Sequence, residues 1–176
     1  MKKDISGILE AREKRWKKKI RLAGKLNGTV ICIRLNIPGP DKTRDIFVKF
    51  HEHLTEEFLE LFSRTGADIL FSEKTVTADG PEYLMVCPVD AVWIKKMAIE
   101  FEDSNEGGRL ADIDVMDSDS LPLSRESLGI PPRKCLLCNS PARDCIVLGS
   151  HDISEVMAEV IRIIRNKRES RRTPAG

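Results

Sequence analysis

Apolar residues recur at helical spacing in four segments of the chain. The first, residues 5–22, has basic residues between its apolar positions, and the second runs from Thr43 to Arg64 with Gly66 as its predicted cap. A third, shorter helix is predicted from Asp90 to Lys96. The last begins at Asp152-Ile153-Ser154-Glu155, a capping-box pattern whose side chains satisfy free backbone N–H groups.

Alternating and β-branched apolar residues predict the strands between these helices. The first strand runs from Thr29 to Ile37 and is ended by Pro38-Gly39-Pro40. Residues 117–134 have little periodicity, which indicates an ordered loop at best. The other predicted strands form two hairpins: Ile69 to Val76 with Tyr83 to Val86 around Asp79-Gly80-Pro81, and Met97 to Glu102 with Ala111 to Met116 around the loop from Asp103 to Gly108.

Helices that alternate with strands, together with two hairpins, predict an α+β fold in which helices pack on a mixed sheet. The length of 176 residues, 41% of them hydrophobic, predicts a single domain, because domains ordinarily contain roughly 100–200 residues. We place that domain at residues 1–168 and expect a disordered basic tail over residues 169–176.

Composition excludes several classes of protein. No apolar run approaches the roughly 18 residues of a transmembrane helix, so no membrane partner is expected. Met1-Lys2-Lys3-Asp4 begins a charged stretch that lacks the apolar core of a signal peptide. Five cysteines without an export signal then indicate the reducing cytoplasm, with free thiols or a metal site rather than disulfides. An aromatic content of 5% argues against a platform for stacking RNA bases.

The formal net charge of +1 conceals basic ends on an acidic body. Residues 1–25 carry a net charge of +7, residues 162–172 carry +5, and residues 26–161 carry −11. This arrangement suits nucleic acid, an acidic protein partner or a polyphosphate substrate, and it is equally typical of solvated helix faces. Nucleic acid is the least expected partner, since the aromatic residues that stack on bases are few.

The segment Gly107-Gly108-Arg109-Leu110-Ala111 leads into Asp112 and Asp114, the sharpest chemical feature of the sequence. On a strand these two side chains point to one face, about 7 Å apart, while Ile113 between them points into the core. Two such carboxylates suit one Mg²⁺ or Mn²⁺ ion that also binds substrate phosphates. The neighbouring predicted strand adds Glu100 and Glu102 as candidates for a third ligand. The alternative is an exposed acidic sheet face.

Residues around these aspartates and after the first strand are candidates for binding phosphate. Glycine allows backbone N–H groups to approach phosphate oxygens, so Gly108 is one candidate, and Arg109 is suited to pair with those oxygens directly. Lys42 follows a rigid turn at a strand end, which is a common place to present a functional group. The alternatives are a surface salt bridge for Arg109 and a plain tight turn around Lys42.

A second constellation combines Cys135 and Cys138 with Cys145 and His151. The order Cys-x2-Cys-x6-Cys-x5-His suits a small tetrahedral zinc site with a structural role. Reduced thiols in a buried turn are the alternative. A thioredoxin-like redox role is disfavoured, because the motif does not open a helix after a strand of a βαβ unit.

Five motifs occur in a recognisable order: Ala11-Arg12-Glu13-Lys14-Arg15, Pro38-Gly39-Pro40-Asp41-Lys42, Asp79-Gly80-Pro81-Glu82, Gly108 to Val115, and Leu128 to Cys138, followed by Ala142, Cys145 and His151. In these motifs the chain resembles the CitX family, the apo-citrate lyase phosphoribosyl-dephospho-CoA transferases. The resemblance extends over roughly residues 10–165 and so covers most of the chain.

The resemblance implies a nucleotidyl transfer. The donor is triphosphoribosyl-dephospho-CoA, the acceptor is a serine hydroxyl of the acyl-carrier (gamma) subunit of citrate lyase, and pyrophosphate leaves. It implies Mg²⁺ held by Asp112 and Asp114, with one of them or Glu100 accepting the serine proton. The strand with both aspartates is similar to that of nucleotidyltransferases, so a nucleotidyltransferase-like fold is expected by analogy. The candidates for phosphate binding become Arg109, Gly108, Lys42, Arg12 and Arg15.

Two segments depart from the family pattern. The loop from Asp103 to Glu106 takes the place of family histidines, and Ile146 to Gly149 is apolar where the family has basic residues. The alternatives are therefore a nucleotidyltransferase with another donor or carrier protein, and a non-catalytic protein that docks the carrier. The basic first helix, with Lys17, Lys18 and Lys19, is the predicted docking face for an acidic carrier.

Overall fold

The computed structural model describes residues 5–104 and 106–172. The helices of this part are α1 (Ile5–Leu26), α2 (Asp45–Ser63), α3 (Ala91–Ser104), α4 (Ala142–Leu148) and α5 (Ile153–Arg172). The strands are β1 (Thr29–Leu35), β2 (Phe71–Thr77), β3 (Gly80–Cys87), β4 (Ala111–Met116) and β5 (Pro122–Leu123). Single 3-10 turns cover Gly108–Leu110 and Glu126–Leu128. Each helix predicted from the sequence is present, and α4 is an addition.

The five strands form one sheet in the order β2-β3-β1-β4-β5. Each described strand pair is antiparallel, so the α+β prediction is confirmed and the prediction of a mixed sheet is wrong. The predicted hairpin of β2 and β3 is confirmed, with a tight turn at Ala78 and Asp79. Strand β5 lies in the region predicted as a loop. The sequence does not reveal this strand, because it pairs only with Val115 and Met116 and is too short to show periodicity.

Helices cover both faces of the sheet. On one face α2, α3 and α5 enclose the main apolar core, to which the sheet contributes Ile31, Ile33 and Ile113. On the other face Leu22 and Ala23 of α1 pack on a smaller cluster. The strand residues of that smaller cluster are Val30, Cys32, Leu84, Val86 and Met116. Since side chains alternate along a strand, charged residues two positions from this cluster lie on the α1 face as well.

The strand predicted from Met97 to Glu102 is wrong, because these residues form the second half of α3. Their alternation of apolar and polar residues fits a strand, yet the buried positions Ile94, Ala98 and Phe101 fit one helix equally well. Packing decides between the two periods: Phe101 meets Phe58 edge to face, with ring centroids 5.5 Å apart. The second predicted hairpin is therefore wrong, and β4 pairs with β1 instead.

Glu102 and Lys95 of α3 contact the outer edge of β4. Glu102 Oε1 accepts the backbone N–H of Ile113 over 2.9 Å, and Lys95 Nζ donates to the Ile113 carbonyl over 2.9 Å. Arg125 and Arg133 pair with the Glu102 carboxylate at 2.7 and 2.8 Å. Glu102 therefore satisfies a strand edge that would otherwise be open. The prediction that it shares a sheet face with the aspartates of β4 is wrong.

Helix α5 continues to Arg172, beyond the predicted domain end at residue 168, while residues 173–176 of the predicted tail lie outside the described residues. Within residues 5–104 and 106–172, every helix is too short or too polar to cross a bilayer.

Candidate active site

A cavity of about 460 Å³ opens beside β1 and β4, on the sheet face that α1 covers. Cationic side chains outnumber carboxylates on its walls, which favours the binding of an anion. The charged residues that line it are Arg12, Arg15, Lys19, Arg34, Lys42, Asp112 and Asp114.

Asp112 and Asp114 line this cavity from alternate positions of β4, so the prediction that they share one face is confirmed. Ile113 and Val115 are buried in the main core instead. The aspartate side chains are 34% and 40% exposed, which leaves them accessible to a ligand. Glu100 lies on the exposed side of α3, and α3 packs on the opposite face of the sheet. The hairpin that would bring Glu100 beside the aspartates is therefore wrong.

Arg34 on β1 is the charged partner of both aspartates. It lies directly opposite Asp112 in the antiparallel register, and its Nη2 donates to Asp112 Oδ2 over 2.5 Å. The same nitrogen lies 3.4 Å from Asp114 Oδ2. Burial acts to lower the pKa of Arg34, but the charges of the carboxylates, Asp112 foremost, raise it above its ordinary value. The buried Arg34 Nε has no hydrogen-bond partner among the described residues, and an unsatisfied donor of this kind suits a ligand atom.

Lys19 approaches Asp114 from α1, with its Nζ 3.3 Å from Asp114 Oδ2 and 5.4 Å from the centre of the Trp16 ring. Burial acts to raise the pKa of Asp114, but the charges of Lys19 and Arg34 lower it below its ordinary value. The ion pairs of Asp112 and Asp114 use Oδ2, and neither Oδ1 has a partner among residues 5–104 and 106–172. Two carboxylates with such oxygens beside a cavity have the donor chemistry of a magnesium site.

Asp79, in the turn between β2 and β3, gathers four cations around one buried carboxylate, whose side chain has 0% exposure. Arg12, Arg15 and Lys42 lie 3.1, 2.8 and 2.9 Å from it, and Arg34 lies 3.4 Å away. Burial acts to raise the pKa of Asp79, but the hydrogen bonds from Arg12, Lys42 and Arg15 together hold it well below its usual range. Asp79 therefore fixes the position of the cations beside the cavity.

The predicted phosphate-binding residues Arg12, Arg15 and Lys42 lie together, but they differ in access. Arg15 is 7% exposed and also binds Glu82 at 2.8 Å. Arg12 is 50% exposed, and both Arg12 and Lys42 line two cavities. Arg12 therefore has free surface for a ligand, whereas Arg15 mainly links α1 to the β2–β3 turn.

Arg109 and Gly108 lie elsewhere. Arg109 Nη2 donates to the carbonyl of Cys135 over 2.7 Å, and neither residue lines the cavity that contains the aspartates. A Cβ placed on Gly108 would lie 2.2 Å from the carbonyl oxygen of Phe101. Gly108 is therefore required for close packing of the 3-10 turn on α3, and Arg109 joins that turn to the cysteine segment. Their predicted phosphate contacts stay predictions, and this geometry does not favour them.

A larger cavity of about 1080 Å³ adjoins the first. It is bounded by α1, by the Pro38-Gly39-Pro40 turn and by residues between Arg133 and Val156, with a mostly apolar lining. The residues shared by the two cavities are Arg12, Asn36, Ile37 and Lys42. An extended ligand with a charged end and an apolar end fits this combination.

Cys135, Cys138, Cys145 and His151 form one cluster, in which ligand atoms from all four residues lie within 4.8 Å of one another. The Sγ atoms of Cys138 and Cys145 are 3.5 Å apart, and His151 Nε2 lies 3.4 Å from Cys138 Sγ. A hydrogen bond from the Ser140 backbone, followed by His151, lowers the pKa of the Cys138 thiol to about 6. Hydrogen bonding with Cys138 raises the pKa of Cys145 to about 11. This donor set can bind a metal ion such as zinc.

The sequence model of the family described as "CitX: Apo-citrate lyase phosphoribosyl-dephospho-CoA transferase" matches residues 3–167. The chain belongs to the CitX family. The matched range includes all residues of both cavities and the whole cysteine–histidine cluster. The resemblance found in the sequence motifs is thereby confirmed.

Curated proteins similar to this CitX-family chain differ in their length. The chain is 32% identical to "Protein CitXG" of Leuconostoc mesenteroides subsp. cremoris, over 96% of the chain and 36% of that protein. It is 27% identical to a "Probable apo-citrate lyase phosphoribosyl-dephospho-CoA transferase" of Streptococcus pyogenes serotype M18, over 92% of the chain and 85% of that protein. An "Apo-citrate lyase phosphoribosyl-dephospho-CoA transferase" of Shigella flexneri serotype 5b is 32% identical over 68% of the chain and 66% of that protein. The chain thus spans about a third of the length of the CitXG protein.

Three charged residues of the CitX-family site were not predicted as site residues: Arg34, Asp79 and Lys19. Arg34 carried a usable signal, since a charged residue inside the apolar strand Thr29–Leu35 needs a buried partner. The sequence identifies Asp79 as a turn residue and as part of a family motif, but gives it no role in the site. Lys19 was assigned to a docking face, whereas its side chain is 7% exposed and bound to Asp114. The contacts of all three residues depend on which strands are neighbours in the sheet, and local sequence patterns do not give that order.

Proposed function

We propose that this chain transfers phosphoribosyl-dephospho-CoA from triphosphoribosyl-dephospho-CoA to a serine of the citrate lyase acyl-carrier (gamma) subunit. The serine Oγ attacks the phosphorus nearest the ribose, the bond from that phosphorus to the pyrophosphate oxygen breaks, and a phosphodiester and pyrophosphate result. One observation carries the proposal: in a CitX-family chain, two carboxylates on alternate positions of β4 face a cavity with five cationic side chains.

Asp112 and Asp114 are the residues that would hold Mg²⁺ or Mn²⁺ in this reaction. Their Oδ1 atoms have no partner among the described residues, and Mg²⁺ in proteins is commonly held by one or two carboxylates together with substrate phosphates. Such an ion neutralises the triphosphate and the leaving pyrophosphate. We assign the serine proton to Asp112 or Asp114, since Glu100 does not line the cavity.

The cations of the cavity support the binding of a triphosphate. Arg34 offers an unsatisfied Nε, and Arg12 is half exposed at the border of the two cavities. Lys42 reaches the same border. Guanidinium groups bind phosphate through two parallel hydrogen bonds, which fixes its orientation as well as its charge. We therefore assign donor phosphates to Arg34, Arg12 and Lys42, and we give Arg15 a positioning role.

The larger cavity supports a donor with a long non-reacting part. Its volume of about 1080 Å³ and its apolar lining suit the nucleoside and pantetheine portion of dephospho-CoA. Because Arg12 and Lys42 line both cavities, a donor with its phosphates beside β4 continues directly into this space. Binding energy from that remote portion positions the phosphorus for attack.

The exposed basic face of α1 supports an acidic protein as acceptor. Lys14 and Lys17 are 73% and 72% exposed, and Arg21 lies one turn further along the helix. Replacing Lys14 and Lys17 with Glu is expected to raise the KM for the carrier without changing the KM for the donor. Equal KM values for the carrier before and after the charge reversal would exclude this docking face.

Pyrophosphate release tests the proposed reaction. The protein is mixed with apo-carrier, triphosphoribosyl-dephospho-CoA and Mg²⁺, and pyrophosphate is followed over time. Asp112→Asn and Asp114→Asn are each expected to lower kcat by at least about 100-fold, whereas Glu100→Gln leaves it unchanged. A protein that only docks the carrier would bind it and release no pyrophosphate, which would overturn the proposal.

A further inference from the structure

We propose that Cys135, Cys138, Cys145 and His151 bind one structural zinc ion. The four side chains offer three sulfur ligands and one nitrogen ligand, which is a common set for closed structural zinc sites. With four protein ligands, no coordination position is left for water or substrate, so this ion has no catalytic role. The site is separate from the aspartates of β4.

Two distances in the cluster are close to those around a tetrahedral zinc ion. Zinc–sulfur and zinc–nitrogen bonds of about 2.3 and 2.0 Å place two sulfurs about 3.8 Å apart and a sulfur and a nitrogen about 3.5 Å apart. The observed distances are 3.5 Å between the Cys138 and Cys145 Sγ atoms and 3.4 Å between Cys138 Sγ and His151 Nε2. All four ligand atoms lie within 4.8 Å of one another, so the cluster can close around one ion with shifts of about 1 Å or less.

A backbone N–H group already points at one of the sulfurs. The N–H of Leu137 donates to Cys135 Sγ, with a nitrogen–sulfur distance of 3.5 Å. Hydrogen bonds to the ligand sulfurs stabilise thiolates and orient them toward a metal ion.

The surrounding segment has no apolar core of its own. From residue 117 to residue 159, Cys135 and Cys145 are the only buried residues. The antiparallel bridge between Lys134 and Pro141 adds few backbone hydrogen bonds. A chain segment with so little buried surface needs another source of stability, and a metal ion bound by four of its side chains supplies it.

This zinc ion would fix one wall of the larger cavity. Cys135, Cys145 and His151 line that cavity together with their neighbours Leu136 and Ile146. The ion would therefore hold the shape of the apolar space without taking part in chemistry. Its loss would loosen the wall from Arg133 onward, while strands β1 to β4 and the aspartates of β4, which lie outside residues 117–159, would stay folded.

Metal analysis of the full chain, purified without a histidine tag from zinc-supplemented medium, tests the proposal. We expect one zinc per chain in the wild type and in Cys87→Ala, a buried cysteine of β3 outside the cluster. We expect less than a tenth of that in Cys138→Ser. Cobalt in place of zinc should give the visible and thiolate charge-transfer bands of a tetrahedral sulfur-rich site. Absence of zinc from the wild type, or a Cys138–Cys145 disulfide in it, would overturn the proposal.

A second measurement needs no variant and so does not depend on the folding of Cys138→Ser. A zinc chelator is added to the wild type, and trypsin cleavage is mapped by mass spectrometry. We expect new cleavage at Arg133, Lys134 and Arg143, with the sites on α2 and α3 unchanged. Identical cleavage maps with and without chelator would contradict a structural zinc. Neither readout depends on transferase activity, so failure of the proposed reaction would leave this test intact.

Discussion

Arg34 and Asp112 lie directly opposite each other on neighbouring antiparallel strands, and a guanidinium nitrogen of Arg34 donates to the Asp112 carboxylate over 2.5 Å. The same guanidinium group reaches Asp114 and Asp79, each at 3.4 Å. Arg34 therefore joins the two carboxylates of the cavity to the buried carboxylate that organises the other cations. It is also the residue whose unsatisfied Nε offers a further hydrogen bond to a ligand.

Replacing Arg34 with Lys keeps the charge and removes the planar group that contacts three carboxylates at once. We expect transfer activity to fall by about 10- to 100-fold, because an ammonium group cannot make the parallel hydrogen bonds of a guanidinium. Arg64→Lys, at an exposed position after α2, is the matched control and should keep full activity. Equal rates for Arg34→Lys and the wild type would remove Arg34 from the site.

Asp79→Asn should lower the free energy of unfolding at pH 7 by about 3 kcal/mol, because it leaves buried cations without their shared counter-charge. The pKa of Asp79 is lowered in the folded state, so its contribution is complete above the unfolded pKa of about 4 and is lost as the pH falls through the folded value. Urea denaturation of both proteins should therefore show a difference that shrinks from pH 5 to pH 2. Asp119→Asn, at an exposed position, should change little, and a pH-independent difference for Asp79→Asn would contradict this account.

Arg12 and Arg15 bind the same carboxylate, but replacing each with Ala should have different effects on the donor KM and on the stability of the fold. Arg12 is 50% exposed at the border of the cavities, so we expect Arg12→Ala to raise the KM for the donor about 10-fold with little loss of stability. Arg15 is 7% exposed and holds both Asp79 and Glu82, so Arg15→Ala should destabilise the fold by about 3 kcal/mol. Steady-state kinetics and urea denaturation separate the two effects. A raised donor KM for Arg15→Ala together with a destabilised fold for Arg12→Ala would show that the two roles are reversed.

Gly108→Ala should destabilise the fold by about 1–3 kcal/mol, because the added Cβ would lie 2.2 Å from the Phe101 carbonyl oxygen. Gly24→Ala is the matched control, since beyond its chain neighbours and its own helix backbone no atom lies within 4 Å of the added Cβ on α1. That change should stabilise the fold by about 0.5–1 kcal/mol through helix propensity. Thermal unfolding should show a lower Tm for Gly108→Ala and a higher Tm for Gly24→Ala. Equal Tm shifts for the two variants would contradict the close packing at Gly108.

The face shared by Asp112 and Asp114 was predictable from sequence, because the period of a strand depends only on local residues. The β2–β3 hairpin was predictable for the same reason, since its turn residues lie between two alternating segments. The second half of α3 was not predictable, because its residues satisfy the periods of both a strand and a helix, and only packing against α2 and the sheet separates them.

The contacts of the cationic side chains around Asp79, Asp112 and Asp114 depend on strand order. Local sequence patterns therefore could not predict them. Arg34 meets Asp112 because β4 pairs with β1, and it approaches Asp79 because β3 pairs with the other edge of β1. Motif spacing placed Arg109 and Gly108 near phosphate, since they precede Asp112 in the chain. The 3-10 turn at Gly108–Leu110 instead directs Arg109 toward Cys135.

Intact-mass spectrometry of the apo acyl-carrier subunit tests the central claim most directly. The carrier is incubated with this protein, triphosphoribosyl-dephospho-CoA and Mg²⁺, and in parallel with Asp114→Asn or without Mg²⁺. The account predicts a mass gain equal to the donor minus pyrophosphate on one serine, seen only with the wild type and Mg²⁺. No gain with the folded wild type, or an equal gain with Asp114→Asn, would contradict it.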